Sequence, residues 1–228
     1  MALAARTATG EELRDRLRAA RLYLVIESRV GGERADGVVA AGLAGGVDVV
    51  QLRDKEAGDA ELMASAERLR ALCDEHGALL VVNDRPDLAR ACGADGVHLG
   101  QDDLSVAEVR RAVGDALLIG LSTHSPAQIA AAAGTGADYI GVGPVYPTAT
   151  KPDLAPVGLE LVAHAAAHAL QPFFAIGGID AVRAAEVAAA GAERVAVVRA
   201  IRDAADPRAA AEKIRAELGR EVVGGPAR

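Results

Sequence analysis

The stretch Gly141–Lys151 (GVGPVYPTATK) takes an apolar run, Ala137–Val142, into a turn that carries two threonine hydroxyls and an ammonium. Small residues let the backbone approach a ligand closely, and Pro144 and Pro147 stiffen the turn. Thr148, Thr150 and Lys151 are donors of the kind that a phosphate or diphosphate requires. Taken alone, the stretch reads equally well as a surface loop with incidental polar residues. Comparable clusters recur, however, each after another aliphatic run: Gln51-Leu52-Arg53-Asp54-Lys55, Asn83-Asp84, His98 to Asp103, Ser122-Thr123-His124, Gly177-Gly178 and Val198-Arg199.

Each cluster has a plain structural reading of its own. Arg53 and Lys55 suit a solvated loop. Asn83 and Asp84 suit a turn in which Asx side chains bond their own backbone. Asp102 and Asp103 suit a helix cap, and His98, within an apolar run, suits a core or lining residue. Ser122 and His124 stand two apart with no third triad member nearby, which is weak ground for a hydrolase. What these readings do not explain is the recurrence at successive strand ends. The set divides into two chemical kinds. Arg53, Lys55 and Lys151 can neutralise a highly charged anion, with Ser122 as a hydroxyl donor beside them, whereas Asp84 and Asp103 would repel it unless a hard cation lay between them. Mg²⁺, held by one or two carboxylates and completed by diphosphate oxygens and water, is the natural choice. Gly177-Gly178, between a strand and a helix, remains with Thr148 and Thr150 for a second phosphate. The inferred site takes one diphosphate, one Mg²⁺ and one monophosphorylated partner.

The elements that must position these residues are legible as alternating short aliphatic runs and longer Ala/Leu/Glu/Arg segments. The pattern predicts strands near Leu22–Ile26, Val47–Leu52, Leu79–Asn83, Gly96–Leu99, Leu117–Leu121, Tyr139–Val142, Phe173–Ile176 and Arg194–Val198. Helices are predicted over Asp59–His76, Ser105–Val113, Pro126–Thr135, Leu159–Ala169 and Ala181–Ala190, with Ser105 and Ser125 as N-caps and Glu108 at capping-box spacing. A Gly-Ala-acid signature recurs before three strands, at Gly93-Ala94-Asp95, Gly136-Ala137-Asp138 and Gly191-Ala192-Glu193. About eight β/α units joined by short connections predict a single (β/α)8 TIM barrel. A doubly wound sheet would need fewer strands, and no Gly-x-Gly-x-x-Gly opens the first βα turn. Residues 1–20 read as an N-terminal helical extension, 21–220 as the barrel and catalytic domain, and 221–228 as a flexible tail.

Composition narrows the function classes. Residues of apolar type make up 51 % of the chain and aromatics only 2 %, which favours a core of small aliphatic side chains from buried parallel strands. The net charge of −7 argues against a nucleic-acid or anionic-membrane surface, so any anion site must be local. Cys73 and Cys92 have neither metal-ligand spacing nor a disulfide framework and read as reduced thiols of a cytoplasmic protein. Neither a secretory signal nor a run of membrane-spanning length is present in these residues.

In this order, the motifs resemble those of the thiamine-phosphate synthase family. The resemblance runs from Leu22 to about Ile201 and is carried by QLRDK (Gln51–Lys55), Asn83-Asp84, ADGVHLGQDD (Ala94–Asp103), Gly-x-Ser-x-His at Gly120–His124, GPVYPTATK (Gly143–Lys151) and AIGGI (Ala175–Ile179). It implies a barrel that joins hydroxymethylpyrimidine diphosphate to a thiazole phosphate, with release of diphosphate and formation of thiamine phosphate. Carried over by motif, Gln51, Leu52, Arg53, Asp54, Lys55, Asn83, Ser122 and Lys151 would hold the pyrimidine diphosphate, with Arg53, Lys55, Ser122 and Lys151 assisting departure of the leaving group. Asp84 and Asp103 would bind one Mg²⁺ per site. Thr148, Ala149, Thr150, Gly178, Val198 and Arg199 would hold the thiazole phosphate. The family also implies ionisation to a pyrimidine-methyl cation before the thiazole nitrogen attacks, which requires no general base.

Two positions depart from the family pattern: Arg199 stands where Ser is frequent, and Val25-Ile26-Glu27 ends the first strand where Thr-Asp is more usual. Two other functions fit the same scaffold. A thiazole tautomerase would use His124 as its acid–base group and would have little use for Asp84, Asp103 and Lys151. A catalytically silent barrel could bind thiamine precursors without turning them over. The substrates are small molecules in either enzymatic case, and the alanine-rich outer helices permit a homodimer.

Overall fold

Residues 8–150 and 154–219 are described by the structure, a computed structural model. Residues 151–153, which include Lys151, and 220–228, which include the predicted tail at 221–228, lie outside that set, as do residues 1–7 of the predicted extension. Among the described residues ten strands form: β1 (Leu22–Ile26), β2 (Arg29–Val30), β3 (Glu33–Arg34), β4 (Val49–Leu52), β5 (Leu79–Asn83), β6 (Gly96–Leu99), β7 (Leu118–Thr123), β8 (Tyr139–Val142), β9 (Phe173–Ile176) and β10 (Val195–Val197). The pair β2/β3 is a small antiparallel hairpin, and the other eight close into a barrel in the order β1-β10-β9-β8-β7-β6-β5-β4. All barrel pairings are parallel. The helices are α1 (Gly10–Ala19), α2 (Asp36–Ala44), α3 (Asp59–His76), α4 (Pro86–Ala91), α5 (Val106–Val113), α6 (Pro126–Ala132), α7 (Gly158–His168), α8 (Ala181–Ala189), α9 (Arg199–Arg202) and α10 (Pro207–Leu218). No helix among the described residues is long and apolar enough to cross a membrane.

The barrel follows from strands whose alternate residues serve two separate cores. Leu22, Leu24 and Ile26 face the helices, while Tyr23 and Val25 belong to a smaller interior core with Val49, Leu79, Val81, Leu118, Tyr139 and Phe174. At the C-terminal strand ends, the same alternation turns Val25, Gln51, Asn83, His98, Ser122, Gly141, Ile176 and Val198 inward, and all of them line one cavity. The period of two therefore makes the site, not any single loop. Ser105 caps α5 through a reciprocal capping box with Glu108, and Ser125 caps α6 ahead of Pro126.

Several predicted boundaries shift. The strand expected to end at Leu121 continues to Thr123, so Ser122 is held within a ladder pairing with Gly141. The helix expected to reach Thr135 ends at Ala132, and the first residues of β4 and β10 fall inside their predicted runs. The Gly-Ala-acid signature acquires a purpose. Asp95 accepts the Leu80 N–H at 2.8 Å and Asp138 accepts the Ile119 N–H at 2.7 Å, so each aspartate ties the strand it precedes to its neighbour. Asp48 does the same for Arg21 and Leu22.

The helical extension α1 plugs the interior core. It starts with a Thr9/Glu12 capping box and inserts Leu13 and Leu17 among the inward-facing residues. Arg16 donates to the Gly77 and Ala78 carbonyls at 3.0 Å, and Arg14 meets Asp138 at 2.6 Å. Leu17 is 1 % exposed. Leu17→Ala is expected to cost about 2–3 kcal/mol, the lower part of the range for such truncations, because one side of a terminal helix can relax. Urea denaturation checks this: an unchanged midpoint would show that α1 is not integral to the barrel.

Candidate active site

The cavity at the C-terminal strand ends measures about 320 Å³ and is lined by residues from β1, β4 to β10 and their following loops. On one side stand Gln51, Arg53, Asn83 and Ser122; on the other stand Thr148, Thr150, Gly177, Gly178, Val198 and Arg199. Four residues of the predicted diphosphate set and five of the predicted thiazole-phosphate set thus border one space, whereas Lys55, Asp84 and Asp103 are not among its lining residues. Arg53 is fixed at the end of β4 by its N–H on the Ile26 carbonyl at 2.8 Å.

Not every residue of the QLRDK motif faces the cavity. Leu52 is buried in the core between strands and helices, so its side chain is packing. The Asp54 carboxylate is occupied by the loop itself, accepting the N–H groups of Ser28, Glu56 and Ala57, each at 3.1 Å. Asp54 shapes the turn that presents Arg53 and Lys55 and is not among the lining residues. Lys55 is exposed yet close enough to Asp84 to favour its ionised form. Ala149 is exposed between the two lining threonines.

Asp84 has a backbone signature as well as a charge. It is the non-glycine residue with positive φ (61°) among the described residues, and its N–H bonds the His98 carbonyl at 2.9 Å. Burial, with Asp103 as its neighbour, pushes the Asp84 carboxyl up to about 6, while Lys55 and Arg53 pull it down. Asp103 is oriented by the Gly100 N–H at 2.7 Å. Two facing carboxylates with cations behind them form an oxygen-only donor set. No cluster of three or more His, Cys, Asp or Glu able to hold a metal exists among the described residues. That chemistry fits Mg²⁺, which takes one or two carboxylates and fills its shell from phosphate oxygens and water.

The second half is built on close backbone approach. Gly177 and Gly178 adopt φ of +105° and +67°, and a Cβ on Gly178 would lie 2.8 Å from the Pro147 carbonyl oxygen. The β9 loop and the proline loop are joined by Val145 N–H to Ile176 O at 2.8 Å and Tyr146 N–H to Gly177 O at 3.0 Å. The glycine pair stands ahead of α8, whose N-cap is Asp180.

Arg183, Tyr23, Tyr139 and Phe174 line the cavity although no motif had marked them. Arg183 donates to the Gly178 carbonyl at 2.6 Å and lies over the Tyr146 ring at 4.7 Å. Tyr23, Tyr139 and Phe174 form the floor. His124 lines the cavity with Nδ1 donating to the Gly143 carbonyl. Glu27 pairs with Arg202 at 2.8 Å, a contact between the first strand end and α9. Arg199 lines the cavity at the start of α9.

Comparison with known proteins gives a consistent picture. The family model described as thiamine monophosphate synthase matches residues 22–201. A thiamine-phosphate synthase of Gloeobacter violaceus is 55% identical over 88% of this chain, and one of Saccharopolyspora erythraea is 51% identical over 92%. The chain spans 58% of the Gloeobacter protein and 98% of the Saccharopolyspora protein. Among solved structures, a thiamine phosphate pyrophosphorylase from Pyrococcus furiosus superposes with a TM-score of 0.82 at 35% identity, covering 90% of this chain and 97% of that one. A tryptophan synthase of Mycobacterium tuberculosis shares the fold at a TM-score of 0.67 and 17% identity, covering 95% of this chain and 100% of that one.

Proposed function

This chain belongs to the thiamine monophosphate synthase family, and on that premise we propose that it condenses hydroxymethylpyrimidine diphosphate with a thiazole phosphate to give thiamine phosphate and diphosphate. The observation that carries the reading is a single cavity bordered by Arg53, Asn83 and Ser122 on one side and by Thr148, Thr150 and Gly178 on the other. We assign the first group to the diphosphate and the second to the thiazole phosphate.

The bond that breaks joins the pyrimidine methylene to a diphosphate oxygen, and the bond that forms joins that carbon to the thiazole ring nitrogen. No proton leaves the reacting atoms. The work of the chain is to stabilise charge as it gathers on the departing diphosphate and to hold two reactants in line. Arg53 and Lys55 supply fixed positive charge, Ser122 a hydroxyl donor, and Lys151 by motif an additional ammonium. Asp84 and Asp103 would hold one Mg²⁺, which when bound supplies further charge neutralisation on the diphosphate. Val25, Phe174, Ile176 and Val198 add apolar surface to the cavity, which would limit the access of water to the reacting carbon. Either the thiazole phosphate or its carboxylated form fits this scheme, the latter with loss of CO2. The same reading includes a cytoplasmic setting, in keeping with two buried cysteine thiols, and admits a homodimer through the outer helices.

The test is product formation from the two substrates with Mg²⁺ and with EDTA. Thiamine phosphate is expected with the metal, and loss of nearly all turnover in the chelator. No product in either condition from folded protein would overturn the reading and direct attention to proton transfer by His124.

A further inference from the structure

A continuous line of side chains crosses the cavity floor, from one wall of the barrel to the other. Gln51 Nε2 donates to Tyr23 Oη at 2.7 Å, the Tyr23 and Tyr139 hydroxyls stand 3.0 Å apart, Tyr139 Oη lies 3.1 Å from His98 Nδ1, and His98 Nε2 lies 3.0 Å from Ser122 Oγ. Gln51, Tyr23 and Tyr139 are buried. Phe174 packs edge-on against both tyrosine rings, with centroids 5.2 and 5.7 Å away.

The chain has a direction. An amide NH2 can only donate, so Tyr23 Oη accepts from Gln51 and has one hydrogen to pass on. Its other partner among the described hydrogen bonds is Tyr139. Were Tyr139 to donate instead, the Tyr23 hydrogen would be stranded in a site that is 2 % exposed, at the cost of an unmade buried bond. Tyr139 therefore donates to His98 Nδ1, His98 carries its proton on Nε2 and donates to Ser122, and the Ser122 hydrogen is left for the cavity. Burial holds both phenols well above their ordinary range, so each remains an O–H.

The fold makes room for this line. A Cβ on Gly120 would sit 2.2 Å from Tyr139 Cζ and 2.4 Å from His98 Nδ1, directly in the Tyr139–His98 bond. Gly120 is not at positive φ, so its missing side chain serves space and not backbone conformation.

We propose that Tyr23, Tyr139 and His98 are positioning residues that polarise Ser122, so that the amide of Gln51 on one wall commits the Ser122 hydroxyl on the other to donate toward the leaving diphosphate. This rests on the assignment of Ser122 to the diphosphate half of the site. It couples the two walls: turning the Gln51 amide over would make Tyr23 donate to its carbonyl, reverse every link and consume the Ser122 hydrogen on His98 Nε2.

The test combines a spectrum with kinetics on the full chain. In protein labelled with ¹⁵N-histidine, His98 is expected with Nε2 protonated and Nδ1 as acceptor, and Tyr139→Phe should collapse that preference to mixed tautomers. Tyr139→Phe should lower kcat about 10-fold with little change in KM, the equivalent of one well-placed hydrogen bond. In a Ser122→Ala background the same change should add nothing. Should Tyr139→Phe fold poorly, Tyr23→Phe breaks the line one link earlier and should loosen the same tautomer. A His98 protonated on Nδ1, or effects of Tyr139 and Ser122 that multiply, would overturn the proposal. Either result can be read while wild-type protein makes thiamine phosphate. A wild type that makes none would instead count against the synthase reading and leave the tautomer measurement standing.

Discussion

Arg53→Ala is expected to lower kcat about 10²–10³-fold while raising KM for the pyrimidine diphosphate far less. The figure is that for removing a preorganised donor from a developing oxyanion, about 3–4 kcal/mol. The assignment of Arg53 rests on contrast with arginines whose charge is already matched. Arg68 is held by Asp36, Arg85 by Asp59 and Asp87, and Arg110 by Asp138, each within 3.0 Å, so their charges are already matched. Arg53 lines the cavity and has no ion pair among the described residues. In a chain of net charge −7, an unmatched guanidinium at the mouth of a buried strand marks where an anion is to be held. A guanidinium that only recruits substrate would stabilise ground state and transition state alike, and its loss would appear in KM alone. Steady-state kinetics with the pyrimidine diphosphate varied separate the two: a KM effect with unchanged kcat would remove Arg53 from the chemical step. Arg53→Lys should recover only part of the rate, because a point charge cannot reproduce a bidentate fork.

Much of this was legible in the sequence because a barrel strand writes its geometry in a period of two. Leu79–Asn83, Gly96–Leu99, Tyr139–Val142 and Phe173–Ile176 begin and end in the structure where their aliphatic runs do. The polar residues just beyond those runs are then delivered to one end of the barrel. What escaped was of three kinds. Local loop chemistry disguised Asp54, which looks like a ligand-facing carboxylate in the motif but bonds three backbone N–H groups of its own surroundings. Nor did the sequence mark the hairpin β2/β3, whose two-residue strands are too short to show alternation. Long-range pairing hid the polar floor, since Tyr23 and Tyr139 meet across 116 positions of sequence. A compositional clue was available: the chain has only three tyrosines and two phenylalanines, and Tyr23, Tyr139 and Phe174 occupy inward positions of three strands. So few aromatics gathered in an otherwise aliphatic interior point to a specific contact.

At the opposite end of the barrel, Arg70→Ala is expected to destabilise the fold by about 3–5 kcal/mol, the cost of leaving a buried charge without its partner. Arg70 projects from α3 and is 1 % exposed. It meets Asp95 at 2.6 Å and Asp74 at 3.0 Å, and donates to the Ala78 carbonyl at 3.3 Å. Asp95 is buried too and cannot turn to water, because it also accepts the Leu80 N–H, while its own backbone N–H and carbonyl bond Leu80 and Leu118 at 2.8 and 2.9 Å. The ion pair thus clamps the starts of β5, β6 and β7 from behind. In Arg70→Ala the carboxylate keeps its place and loses its countercharge. Adding Asp95→Asn to Arg70→Met should restore a good part of the loss: the Asn carbonyl still accepts from Leu80, no charge is buried, and the methionine refills most of the volume. Urea denaturation of the single and double variants measures this. Equal stability of Arg70→Ala and wild type would mean that water reaches Asp95 and that the clamp is dispensable. Because the pair lies at the N-terminal strand ends, away from the cavity, kcat of the folded fraction should stay at the wild-type value.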